Sequence, residues 1–265
     1  MLEFIIIIVI IAFFFEILDS GAGMGFGTGL TPLLLLLDYT PLQVVPAILI
    51  SESITGLVDS YFDNEFKNVE YSFRPLSDSL KLALLIAFFG CIAIFISIYL
   101  TYLALELPTV FIKIYVAVLV LGMGIFALFR TSLKNTDQSK PKPKLLVAFA
   151  AIAGFNKGVG GGGYGPVITL GQLNSGVYEK SATAIVSLSE AIVSIMGVIT
   201  FIFISAAGVE LDLVLLPSLF TGAFIGALIT PYIVRVVPNK VWKIVIPVYA
   251  IGIGIYSFIK ILGLM

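Results

Sequence analysis

Apolar stretches dominate this 265-residue chain and recur at roughly 43–60, 82–103, 109–129, 182–205, 212–235 and 241–262. Each is about 20 residues long, enough for a helix to cross the hydrocarbon of a bilayer. In that medium every backbone N–H and C=O must be bonded within the protein, so such segments fold as helices. With 59% of residues hydrophobic and 12% charged, the chain cannot be a soluble domain and reads as an all-α polytopic membrane protein. His is absent and Cys91 is the one cysteine. A disulfide within the chain, a Cys/His zinc cluster and a histidine proton relay are thereby excluded. No cofactor, metal or nucleic-acid partner is expected, and no catalytic constellation is present. The start, Met1-Leu-Glu-Phe-Ile-Ile, is apolar but lacks the basic flank of a signal peptide, so it is expected to remain part of the fold.

Two further apolar regions, about 2–37 and 145–174, are cut by glycines just before a proline. The first reads Gly21-Ala-Gly-Met-Gly-Phe-Gly-Thr-Gly-Leu-Thr-Pro32, the second Asn156-Lys-Gly-Val-Gly-Gly-Gly-Gly-Tyr-Gly-Pro166. In the second region the arms Leu145–Phe155 and Tyr164–Leu173 are each expected to span about half a bilayer, at 1.5 Å per residue.

Loop charge orients the spans. Arg130, Lys134, Lys140, Lys142 and Lys144 face a single Asp137 between spans, which places that loop in the cytoplasm. Counting from it, the loops at 61–81 and Arg235–Lys243 also fall inside, and the turns near Asp38, Glu106 and Glu210 fall outside. Both termini are then outside, in a multi-pass protein of the cytoplasmic membrane. Pro32 aligns with Pro166, and Ser51-Glu52 with Ser189-Glu190. The expected organisation is a first transmembrane repeat over 1–130, a basic cytoplasmic linker over 131–144, and a second, inverted repeat over 145–265. Each half is a broken or re-entrant helical hairpin followed by three transmembrane helices.

Paired interruptions of this kind point to a transporter's substrate site. Glycine lets a ligand approach the backbone, and the first amides of the helix that follows are unpaired and carry the positive end of its dipole. If the two tips meet, they can clasp a small oxyanion between them. The candidate binding groups are Gly25, Gly27, Thr28, Gly29 and Thr31 in the first run. In the second they are Asn156, Lys157, Gly160, Gly161, Gly162, Gly163 and Tyr164. Close packing of helices on small residues is the competing use of the same glycines. Lys157 lies within the second break and must face an anion, a carboxylate or water. Glu52 and Glu190, deep in apolar runs, suit proton carriage, pairing with Lys157 or a structural hydrogen bond. Glu16 and Asp19 are weaker candidates of the same kind.

On these residues, Gly23–Pro32, Gly158–Pro166 and the Ser-Glu in each half, the chain resembles the sulfite exporter TauE/SafE family of membrane permeases. The resemblance spans nearly the whole chain. It implies transport of sulfur-containing anions such as sulfite, thiosulfate, sulfonates or related organic acids. The expected activity is therefore secondary transport of a small anion by alternating access, with protons as an optional partner. The alternatives are a cation-coupled or cation-carrying transporter that uses Glu52 and Glu190, and an anion-selective channel.

Overall fold

A computed structural model describes residues 5–22, 26–130, 142–175, 177, 179–236 and 239–263. The described residues form helices joined by short turns: α1 (Ile6–Ala22), α2 (Phe26–Leu36), α3 (Pro41–Glu65), α4 (Asp78–Ala104) and α5 (Thr109–Arg130). They continue with α6 (Pro143–Gly160), α7 (Tyr164–Asn174), α8 (Glu179–Ala206), α9 (Leu216–Val236) and α10 (Asn239–Ile261). The expected crossing segments 43–60, 82–103, 109–129 and 182–205 fall within α3, α4, α5 and α8. Segments 212–235 and 241–262 correspond to α9, which starts at Leu216, and α10, which ends at Ile261. Gly25 and most of the linker at 131–144 lie outside the described residues.

Local chemistry sets the helix starts. At α3 the Thr40 N–H donates to Oε1 of Gln43 at 2.8 Å, one half of a capping box, and Pro41 follows at the first helical position. The Ser77 hydroxyl accepts from the Leu80 N–H at 3.3 Å at the start of α4. Large apolar side chains face outward along these helices, as Phe88, Ile92 and Phe95 do on α4 and Ile199, Ile202 and Phe203 on α8. Small and polar residues turn inward, including Ser51, Ser97, Thr169, Ser189 and Ser194. That inside-out distribution is the one a bilayer favours.

Glycines set the closest helix pairs. A Cβ on Gly154 of α6 would lie 2.9 Å from the Gly90 Cα of α4, so the two backbones touch. A Cβ on Gly222 of α9 would lie 2.8 Å from the Ala12 Cβ of α1, and one on Gly124 of α5 would lie 2.9 Å from the Ile251 nitrogen of α10. The pairings correspond between halves. α1 packs on α9 as α6 packs on α4, and α3 packs on α9 as α8 packs on α4. α3 with α8, and α5 with α10, pair across the two halves.

The hairpin arms depart from the expected lengths. α6 runs through Asn156, Lys157, Gly158 and Gly160, so its 18 residues reach about 27 Å at 1.5 Å per residue. Lys157 is therefore on the last turn of a helix rather than in the break, which is confined to Gly161–Gly163. Gly158 stays helical because it is a packing notch, where a Cβ would lie 2.7 Å from the Ser97 hydroxyl oxygen of α4. The helix ends where Gly161 turns left-handed at φ 72°, followed by Gly163 at φ 84°. In the first hairpin Phe26–Leu30 forms a wide π turn that runs into the α-helical Thr31–Leu36. At the far end of α2, Lys260 of α10 donates to the Leu36 carbonyl at 2.5 Å and to Asp38 at 3.0 Å. That hydrogen bond and the ammonium charge, with Lys113 adding a weaker pull, hold the Asp38 carboxyl below the usual aspartate range.

Candidate functional site

The two interruptions meet inside the protein. A Cβ on Gly162 would lie 2.9 Å from the Thr28 nitrogen, against the Gly27 carbonyl, so peptide lies on peptide. The Gly163 N–H donates to the Thr28 hydroxyl oxygen at 3.1 Å and ties the tips together. Among the described residues of both runs, Phe26, Gly27, Gly29 and Leu30, and Val159 through Tyr164, are buried.

Lys157 stands beside this junction and is fully buried. Its ammonium donates to Oε2 of Glu52 at 2.5 Å and to Oε1 of Glu190 at 2.7 Å. The carboxylates come from α3 and α8, so one lysine on α6 joins the helices that follow both hairpins. The ring of Tyr164 lies 5.7 Å from the ammonium and offers its negative face. Glu52 does more than neutralise charge, because its Oε1 accepts the Gly27 N–H at 3.0 Å. A carboxylate of the protein itself thus spans the helix-start amide of one run and the lysine of the other. It sits where an oxyanion was expected.

The remaining expected residues divide into two groups. Thr31 is fully buried near Gly161, where a Cβ would lie 3.3 Å from its hydroxyl oxygen, and that hydroxyl has no partner among the described residues. Thr28, Thr31, Gly27, Gly161, Gly162, Gly163, Lys157, Tyr164, Glu52 and Glu190 therefore gather at the tips. Gly29, Gly160 and Asn156 face elsewhere. Gly29 abuts Phe15 and Tyr249, whose hydroxyl donates to the Gly29 carbonyl at 3.1 Å, and Gly160 abuts Val116 of α5. Asn156 accepts from the Tyr115 hydroxyl of α5.

The site also draws in Glu16 and Asp19, the weaker carboxylate candidates of the sequence, together with Thr55, Gly56, Asp59 and Ser187, which sequence reading missed. A cleft beside Glu52 and Glu190 is lined by Glu16 and Asp19 of α1, by Thr55, Gly56 and Asp59 of α3, and by Ser187 of α8. The Ser20 hydroxyl donates to Asp59 at 2.6 Å. Helical spacing carried the signal: Glu52, Thr55, Gly56 and Asp59 share one face of α3, and Glu16, Asp19 and Ser20 share one face of α1. Among the described residues no group of three or more His, Cys, Asp or Glu side chains is arranged to hold a metal ion.

Interrupted helices that meet at buried charge within an all-helical membrane protein define a polytopic solute transporter. The chain belongs to the sulfite exporter TauE/SafE family, whose model matches residues 8–257. It is similar to the probable membrane transporter protein YtnM of Bacillus subtilis (strain 168), with 26% identity over 237 residues, covering 87% of this chain and 75% of that protein. No solved structure matches the chain.

Proposed function

We propose that this protein is a secondary transporter of small sulfur-containing oxyanions, either sulfite, thiosulfate, sulfonates or related organic anions, coupled to protons. The observation that carries this reading is the Glu52 carboxylate lying on both the Gly27 amide and the Lys157 ammonium. Those donors form an anion site, and the protein fills it with its own anion. A carboxylate and a sulfur oxyanion each present two oxygens on one centre, so they compete for the same pair of donors. When Glu52 takes a proton it surrenders its charge, and an incoming oxyanion replaces it on Gly27 and Lys157. The Thr31 hydroxyl is a further donor within reach of the tips. A monoanion such as a sulfonate then travels with one proton as a neutral pair, and a dianion such as thiosulfate travels with it as a net single negative charge.

The proposed architecture is an inverted repeat of 1–130 and 145–265 with a cytoplasmic linker and both termini outside. The corresponding helix pairings and the basic loops support it. Alternating access is then a rocking of one hairpin tip off the other.

The test is uptake of labelled sulfite, thiosulfate and methanesulfonate into proteoliposomes with and without a pH gradient. Saturable, gradient-driven accumulation of one of them is expected, and it also separates a carrier from an anion-selective channel. Absence of flux for all three overturns the reading. Lys157→Ala is expected to abolish uptake; unchanged uptake in a folded variant removes Lys157 from the mechanism. The carboxylates of the cleft favour one rival, a cation-coupled carrier. It predicts flux that depends on Na⁺ at constant pH.

A further inference from the structure

The cleft beside the lysine contains more acid than the lysine neutralises. Five carboxyl groups line it: Glu16, Asp19, Glu52, Asp59 and Glu190. Glu52 and Glu190 are held by Lys157, and Asp59 accepts from Ser20. Glu16 stands apart. It is 1% exposed, and although its carboxyl bonds the Thr55 hydroxyl, Oε2 has no partner among the described residues.

The surroundings of Glu16 are negative. α3 presents Glu52, Thr55 and Asp59, α8 presents Glu190 and Ser187, and α1 itself presents Asp19. α9 covers the Glu16 stem with Gly226, and its stretch Leu216–Thr230 carries no charged residue. α10 meets α1 through the rings of Tyr249 and Phe15. Among the described groups that line the cleft or bond its carboxyls, the positive charge is Lys157, which is bonded to Glu52 and Glu190. A buried carboxyl oxygen without a donor is costly when ionised. A metal needs several ligands, which these residues do not arrange, whereas a proton needs one oxygen.

We propose that Glu16 is a proton-binding site that loads from the cleft and supplies Glu52. The Glu16 carboxylate takes a proton from water at the cleft mouth and becomes a carboxylic acid. It passes that proton to Glu52 and returns to the carboxylate, while the newly neutral Glu52 leaves Gly27 and Lys157 to an oxyanion. The relay rests on the transporter reading above, but proton binding at Glu16 can be measured without any substrate.

Infrared titration of the purified protein in detergent provides that measurement. The wild type is expected to show a carboxylic C=O band that bleaches as pH rises, shifts in frequency in Thr55→Val, and is missing in Glu16→Gln. A band identical in wild type and Glu16→Gln overturns the assignment. The second arm follows labelled methanesulfonate, a monoanion that does not itself titrate near neutral pH, in proteoliposomes. Glu16→Gln is expected to lose both accumulation and exchange, because Glu52 stays ionised on Gly27 and Lys157. Glu16→Gln combined with Glu52→Gln is expected to recover exchange at equal pH without gradient-driven accumulation. Full accumulation by Glu16→Gln overturns the relay, and restored coupling in Glu16→Asp supports it. If the wild type moves no methanesulfonate, the transport reading fails for that anion, and the infrared arm alone decides whether Glu16 binds the proton.

Discussion

Lys157 joins three helices with one ammonium group, and its neighbours make it sensitive to truncation. With Lys157 0% and Glu52 3% exposed at their side chains, neither charge has water to fall back on. Breaking a buried pair by removing one partner costs about 3–5 kcal/mol, because the other charge is left unpaired. Lys157→Met should therefore lower the thermal unfolding temperature of the purified protein sharply. Adding Glu52→Gln and Glu190→Gln to it should restore most of the loss, since the orphaned charges are gone. A triple variant no more stable than Lys157→Met would show that the lysine stem, rather than its charge, holds the site. Glu52, Glu190 and Lys157 were legible from sequence because an ionisable residue in an apolar run is conspicuous. Their mutual bonding was not, since Glu52 and Lys157 lie 105 positions apart and only the fold brings them together. Asp59 was overlooked because it lies near the end of the apolar run, where a charge attracts no notice.

The helices themselves were easier to read than their interruptions. Twenty apolar residues have one good solution in hydrocarbon, so α3, α4, α5 and α8 follow from length and composition. Glycine is ambiguous by comparison, since it serves both as a break and as a notch. Gly158 and Gly160 are notches on α6 and only Gly161–Gly163 breaks, a difference set by what α4 and α5 present to them. Paired substitutions separate the two uses. At Gly163, φ 84° suits glycine, and a Cβ would lie 2.7 Å from Leu119 Cδ2. Gly163→Ala should cost at least about 1–2 kcal/mol from the backbone alone. Gly252 lies within α10, where a Cβ meets nothing within 4 Å. Gly252→Ala should be neutral or stabilising by up to about 1 kcal/mol, through helix propensity. Thermal unfolding in one detergent compares both, and equal effects would contradict the distinction.

The proposed orientation of the two halves follows from where the basic loops fall, and one chemical handle tests it. Cys91 is the chain's one cysteine, so Cys91→Ser leaves a background free of thiols. New cysteines at Glu210 and at Glu70, both exposed, should report opposite faces. A membrane-impermeant maleimide is expected to label Glu210→Cys on intact cells, and Glu70→Cys only after the membrane is opened. Labelling of both from outside would refute the inverted arrangement. The proposed duplication rests in sequence on Pro32 with Pro166 and Glu52 with Glu190. The acidic cleft as a whole was not visible there, because its residues come from α1, α3 and α8, and Glu16 and Asp59, unlike Glu52 and Glu190, have no matching acids in the other half. At the same alignment offsets, Glu16 and Asp59 correspond to Ala150 and Gly197.

The meeting of the two tips, peptide on peptide, also bears on membrane voltage. If the cleft beside Glu52 and Glu190 opens to one side of the membrane, as the proposed transport requires, the low-dielectric stretch begins at the tips rather than at the membrane surface. The electric field is then concentrated over a short distance. A unit charge that crosses the full potential exchanges about 2.3 kcal/mol per 100 mV. On the proposed transport, a monoanion that passes the tips alone feels most of that, while a monoanion accompanied by its proton feels almost none. On that reading, the response of flux to voltage measures how many protons accompany each monoanion past Gly27 and Gly162.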